Sequence, residues 1–272
     1  MRFRTFVGID LAGDSGETGV AVICKNETNL SYEFPSGSWK GLTGLEGMVE
    51  LVRISELTAV DQPFSYARAT QELLTGTANE SAKAASAYST RRTDAEMRSM
   101  LSKLGLSTNY VMSPNRCQNI WRALALAKDS GLSREEVCLC DSKMVETHPR
   151  VALAKLLSEL DVESLRKRIK GYKGTDNHDA EVSMRRVLLK HFESATRIHP
   201  IGENELEKNQ TRDLAVETAD NIEALICALV AMLHADEKTI IAGFDSLPDA
   251  DLAFEGAAVL PLSPWQYEGD SA

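Results

Sequence analysis

The sequence predicts an α/β protein: a five-stranded mixed sheet flanked by helices, with a mainly helical insertion after the fourth strand. Two patterns carry this expectation. Three short apolar segments near the N-terminus follow one another at hairpin spacing, which predicts antiparallel neighbours. Beyond them stand a segment of helical period, a fourth strand and a series of amphipathic segments, the order in which later strands join a sheet through helical crossovers. A length of 272 residues suits a single domain over 1–272, with the insertion at about 66–133.

The first strand is Thr5 to Asp10, the second Gly19 to Lys25 and the third about Leu30 to Phe34. Between the first two lies a glycine-rich turn, with Gly13, Gly16 and Gly19 around Asp14 and Glu17. Glycines of this kind let a hairpin turn tightly. The sharper alternative is a phosphate-binding loop, but Asp14 and Glu17 carry the wrong sign for one, and no Walker-type motif is present. "TGLEGMVELVRIS" reads as a helix, with Thr43 and Glu46 at capping-box spacing and Met48, Val49, Leu51 and Val52 on its buried face. "LTAVDQPF" is the fourth strand, stopped by Pro63. From about Tyr66 to Ser133 the chain is polar, alanine-rich and mostly helical in pattern. "KMVETHP" is a short fifth strand that ends on Glu146. Helices follow at about Pro149 to Leu160, Val162 to Lys170 and Asp179 to Phe192. A last long helix, about Leu206 to Ala235, is apolar all round in its second half and is expected to lie against the sheet.

Composition narrows the classes. The 43% hydrophobic and 26% charged residues are ordinary proportions for a soluble globular chain. The longest apolar run, Ala224 to Leu233, is about half of what a bilayer span needs, so no membrane role is expected. Met1 to Arg4 leads straight into the first strand without a secretory apolar region, and the five cysteines contain no C-x-x-C pair. A cytoplasmic protein is the expectation. Cys138 and Cys140, two apart, suit a strand and a buried core better than a zinc site.

Acids at strand ends are the chemical signal. Asp10, Asp61 and Glu146 each stand at or next to the C-terminal end of a candidate strand, and Asp220 and Glu223 are i, i+3 neighbours on the last helix. A single strand-end aspartate is usually a turn or cap residue. Several converging acids are a different case, because two carboxylates about 5 Å apart repel by roughly 3 kcal/mol at an effective dielectric of about 20. Protons, cationic side chains or metal must then compensate, and an oxygen-only set favours Mg²⁺ or Mn²⁺. Ligands of open α/β sheets also collect beyond the carboxyl ends of strands.

"VGIDLAG", "AVDQPF", "RRTDAEMR", "VETHPRVAL", "DNIEALICALVAML" and "FEGAAVLPL" occur in an order that resembles the predicted ribonuclease H-like nucleases of domain-of-unknown-function family 429, over roughly Phe6 to Pro261. The resemblance implies a ribonuclease H-like fold and an acidic site at Asp10, Asp61, Glu146 and Asp220. Glu223 departs from the family's more common aspartate, and Gln62 from a small or apolar residue. The implied activity is hydrolysis of a phosphodiester in nucleic acid. Asp10 would bridge two Mg²⁺ or Mn²⁺ ions about 4 Å apart, Asp61, Asp220 and Glu223 would complete the ligand set, and Glu146 would serve as ligand or general base. A non-catalytic binding module and a small-molecule phosphotransferase are the alternatives.

The remaining candidates are cationic. Arg91, Arg92 and Arg98 are readable either as the start of a helix, with Asp94 in its first turn, or as a clamp on substrate phosphate. In "LRKRIKGYKG", Lys167, Arg168 and Lys170 form the densest basic segment, either a solvated helix face or a substrate contact. His148, at a strand end before Pro149, reads as structural.

Overall fold

The computed structural model describes residues 3–11, 18–27, 29–37, 39, 41–65, 91–108, 117–242 and 256–262. The chain begins with strands β1 (Arg4–Asp10), β2 (Gly19–Lys25) and β3 (Leu30–Glu33), followed by helix α1 (Gly41–Ile54) and strand β4 (Leu57–Val60). Helices α2 (Arg92–Lys103), α3 (Cys117–Asp129) and α4 (Arg134–Cys138) lead to strand β5 (Met144–Glu146). Then come α5 (Pro149–Leu156), α6 (Val162–Gly171), α7 (His178–Thr196), strand β6 (His199–Pro200), α8 (Glu205–Glu217) and α9 (Ala219–Ala235). Strands β7 (Thr239–Ala242) and β8 (Ala258–Pro261) close the described chain.

Among the described residues the main sheet has the order β5-β4-β1-β2-β3-β6, and β7 and β8 form a separate antiparallel pair. β1, β2 and β3 are antiparallel neighbours as their spacing predicts, while β4 and β5 run parallel to β1. The sheet therefore has six strands where the sequence suggested five. The sixth is the two-residue β6 beside β3, with Tyr32 opposite Pro200. Two residues show no alternation, and a proline, lacking an N–H, is tolerated at such an edge.

Each face of the sheet buries its own layer. Val7, Ile9, Val20, Val22 and Val60 pack with Leu45, Met48, Val49 and Val52 of α1 and Ala123, Leu126 and Ala127 of α3. Phe6, Ala21, Ile23 and Ala59 pack on the opposite face with α9, where every residue from Ile222 to Leu233 is buried. Burying one large aliphatic side chain contributes roughly 1.5–3 kcal/mol, so α9 anchors this layer. Its approach is very close: a Cβ on Gly8 would lie 2.0 Å from the Ala224 carbonyl oxygen, and one on Gly19 would lie 2.1 Å from that of Asp220. Gly19 thus serves helix–sheet contact at the position paired with Asp10, whereas Gly13 and Gly16 lie outside the described residues.

Three sequence expectations change. The last long helix is two helices, parted at Thr218, whose extended backbone (φ −122°, ψ 158°) and Oγ1, accepting from the Asn221 N–H at 3.1 Å, make it the N-cap of α9. α1 starts at Gly41, which puts Thr43 inside the helix rather than before it. Cys138 ends a helix and Cys140 has a φ of 56°, so the two do not share a strand, although both are buried as core residues. Of the predicted insertion, the described parts hold α2, α3 and the approach to α4.

Candidate metal centre

The parallel pairing of β1 with β4 sets Ile9 opposite Val60, and the Asp61 N–H donates to the Ile9 carbonyl at 2.8 Å. Asp10 and Asp61 are the next residues along the two strands and fall on the same face, the one covered by α9. Gln62 ties the two strand ends together, its Nε2 donating to the Leu11 carbonyl at 3.0 Å. From above, α9 delivers Glu223. One carboxylate oxygen each from Asp10, Asp61 and Glu223 lies within 4.8 Å of the others, with Asp10 and Glu223 buried and Asp61 half-buried.

The electrostatics are lopsided. Burial, then the charges of Glu223 and Asp61, push the Asp10 carboxyl well above the usual carboxylate range. Asp61 is pushed up to about 8 by burial and by Glu223. Burial acts the same way on Glu223, but the Lys173 ammonium and hydrogen bonds from Asp10, Lys173 and Tyr172 outweigh it and hold that carboxyl below its ordinary value. Among the described residues no arginine, lysine or histidine forms an ion pair with Asp10 or Asp61.

Glu223 is held by a chain of contacts that starts where α6 ends. The Tyr172 hydroxyl donates to Glu223 Oε1 at 2.7 Å, and Arg150 Nε donates to the same hydroxyl at 3.3 Å. Lys173 Nζ donates to Glu223 Oε2 and, at 3.4 Å, to Asp220 Oδ1. Buried Arg185 fixes this turn, donating to the carbonyls of Tyr172 (2.9 Å), Val216 (2.7 Å) and Glu217 (3.3 Å). It thereby ties Tyr172 to the break before α9.

Glu146 goes elsewhere, for reasons of pleat. It is in register with Val60, one residue short of Asp61, so its side chain leaves the opposite face of the sheet. There Arg91 donates from Nη1 to Glu146 Oε2 at 2.8 Å and from Nη2 to Oε1 at 2.5 Å. The same guanidinium donates to Asp94 from Nη2 at 2.8 Å and from Nε at 3.2 Å, and the Arg91 N–H donates to Asp94 Oδ2 at 3.0 Å. All three side chains are buried.

The structure therefore gathers Asp10, Asp61 and Glu223. It leaves Asp220 at the mouth on Lys173 and places Glu146 and Arg91 in a separate ion-paired cluster. Asp94 pairs with Arg91, while Arg92 is exposed and Arg98 half-buried on α2. Lys167 and Lys170 are exposed on α6 and Arg168 is half-buried, and none of the three bonds to the acids. The cations that reach the acids are Lys173, from the same basic stretch, and Arg150, whose Nε stands 3.8 Å from Glu223 Oε1. Nothing in one-dimensional spacing marks Lys173, because Gly171 ends the helix just before it. His148 is the N-cap residue of α5, its imidazole lowered by burial to about 4. Its buried Nδ1 has no hydrogen-bond partner among the described residues.

The profile of a family described as "Protein of unknown function (DUF429)" matches residues 8–251. The chain belongs to this family. No curated protein and no solved structure is significantly similar to it. The matched span of this DUF429 protein contains every acid described above, together with Lys173, Tyr172 and Arg150.

The three carboxylates fit a hard divalent cation. Their donors are all oxygen, and oxygens around Mg²⁺ or Mn²⁺ stand about 3.0 Å (adjacent) to about 4.2 Å (opposite) apart at metal–oxygen distances of about 2.1 Å, so carboxylates already within 4.8 Å of one another need draw in only slightly to share an ion. Among the described residues, two of the three acids also have no ion pair that a metal would have to compete with. Among the described residues no helix is long and apolar enough to cross a membrane.

Proposed function

We propose that this DUF429 protein is a ribonuclease H-like, metal-dependent nuclease, in which Asp10, Asp61 and Glu223 hold Mg²⁺ or Mn²⁺ and a phosphodiester in nucleic acid is hydrolysed at the sheet's carboxyl edge. The reading rests on one observation: three carboxylates from two adjacent parallel strands and a packed helix converge within 4.8 Å while, among the described residues, only Glu223 has a cationic partner. A divalent ion bound there supplies Lewis acidity at a phosphoryl oxygen and lowers the pKa of water. The chain's own part is positioning. Backbone pairing fixes Asp10 against Asp61, Tyr172 and Lys173 orient Glu223, and Asp220 with Lys173 forms the mouth.

A second reading has an observation in its favour. Lys173 on Glu223 and Arg91 on Glu146 neutralise two of the acids, as in a module that keeps them for stability. Labelled single-stranded, duplex and hybrid nucleic acids, incubated with Mg²⁺ or Mn²⁺, separate the two. The nuclease reading expects metal-dependent cleavage that Asp61→Asn abolishes. Cleavage that survives Asp61→Asn, or no cleavage of any substrate, removes it.

A further inference from the structure

We propose that Lys173 is the resident counter-ion of the carboxylate centre, and that a divalent cation loads by displacing its ammonium from Glu223. The inference rests on the reading that the acids hold such a cation. Glu223 has two oxygens, and Tyr172 occupies Oε1 with a hydroxyl anchored by Arg150. The second oxygen, Oε2, is the one that Lys173 holds. Ammonium and metal therefore compete for the same carboxylate oxygen, and a divalent charge within a few ångströms of an ammonium is strongly repelled.

The two partners of Glu223 differ in how freely they can leave. Tyr172 is fully buried, and its backbone carbonyl is fixed by Arg185. The Lys173 side chain is 37% exposed, stands on a flexible four-carbon stem and already leans toward Asp220 at the mouth. It can turn outward without disturbing the core. Arginine would behave differently, since its planar fork can grip Glu223 and Asp220 together and release them less readily.

Two measurements test this. The first is Mn²⁺ affinity by titration calorimetry on the wild type, Lys173→Met and Tyr172→Phe. Lys173→Met keeps the stem and removes the charge. It should bind Mn²⁺ about tenfold more tightly or better, a modest fraction of the repulsion between the two charges. Tyr172→Phe removes an orienting hydrogen bond and should bind more weakly. Tight binding by Lys173→Met alone, with none by the wild type, also supports the proposal. Equal or weaker binding by Lys173→Met overturns it and leaves the metal centre standing. No binding by any of the three overturns both. The second measurement needs no variant: amine acylation of the wild type read by mass spectrometry. Mn²⁺ should raise labelling of Lys173 severalfold relative to Lys167 and Lys170, and unchanged or reduced labelling overturns displacement.

Discussion

Two carboxylate clusters lie on opposite faces of one sheet edge, and neighbouring strands build them: β5 supplies Glu146 to one, β1 and β4 carry Asp10 and Asp61 to the other. On the α1 side, Glu146 and Asp94 share Arg91, whose guanidinium reaches every one of their four oxygens within 3.2 Å. On the α9 side, among the described residues, Asp10, Asp61 and Glu223 share no such partner, and Lys173 bonds to Glu223 and Asp220 while acting on Asp10 and Asp61 through its charge alone. The first cluster is complete, with donors matched to acceptors, as a buried charge group must be. The second, among the described residues, has fewer cations than carboxylates, which is the condition under which a cation binds. What separates them is a single residue of register on neighbouring strands, which sends Glu146 to one face and Asp61 to the other.

The largest effect should come from breaking the complete cluster. Arg91→Met strands two buried carboxylates and should cost about 3–5 kcal/mol in urea denaturation. It should leave Mn²⁺ binding intact in whatever fraction folds. A loss below about 1 kcal/mol would mean that the guanidinium is not the keystone of that face. Gly8→Ala should come next, at about 1–3 kcal/mol. A Cβ there meets the α9 backbone at 2.0 Å, so the helix must retreat and carry Glu223 away from Asp10. Reduced Mn²⁺-induced thermal stabilisation in this variant would show that helix contact sets the site.

Asp10→Asn should have the opposite sign. Burial, Glu223 and Asp61 push the Asp10 carboxyl toward its uncharged form, and a neutral amide meets the same surroundings without that conflict. The metal-free melting temperature should then stay unchanged or rise by a few degrees, while the Mn²⁺-induced rise is erased. A drop of more than about 5 °C without metal would make Asp10 a structural acceptor, like Glu146. A further effect is in pH. Asp61, held at about 8, keeps its proton in the folded protein where an unfolded aspartate has lost it. The stability this supplies is complete below about pH 4 and is lost as pH rises through about 8. The metal-free melting temperature should therefore decline from pH 5 to pH 8.5 in the wild type and less so in Asp61→Asn, while Mn²⁺ stabilisation grows with pH as the competing proton leaves. A parallel decline in both proteins would reassign the pH effect to other groups.

Local pattern carried much of this into the sequence. Alternating apolar strands, the Pro63 stop and the uniformly apolar second half of the last helix gave β1 to β5 and α9 their places. The strand-end acids gave Asp10 and Asp61. What escaped was set by three-dimensional choice. The short β6 is recruited by an edge, not by its own pattern, and β7 and β8 pair across residues 243–257. Thr218 divides the last helix through a side-chain cap that competes with continued helix. Glu146 ends a strand as Asp10 does, and only the β4–β5 register reveals that it faces Arg91. Lys173 follows a helix end, where the direction of a side chain depends on the Arg185 contacts some twelve residues on in sequence.

Asp10, Asp61 and Glu223, and not Glu146, should form the cation site. Anomalous diffraction from a crystal soaked in Mn²⁺ tests it most directly. The expected result is an anomalous peak bounded by oxygens of Asp10, Asp61 and Glu223, with Glu146 still held by Arg91. A peak on Glu146 with Arg91 swung away, or no peak while Lys173 remains seated on Glu223 at saturating Mn²⁺, would contradict it.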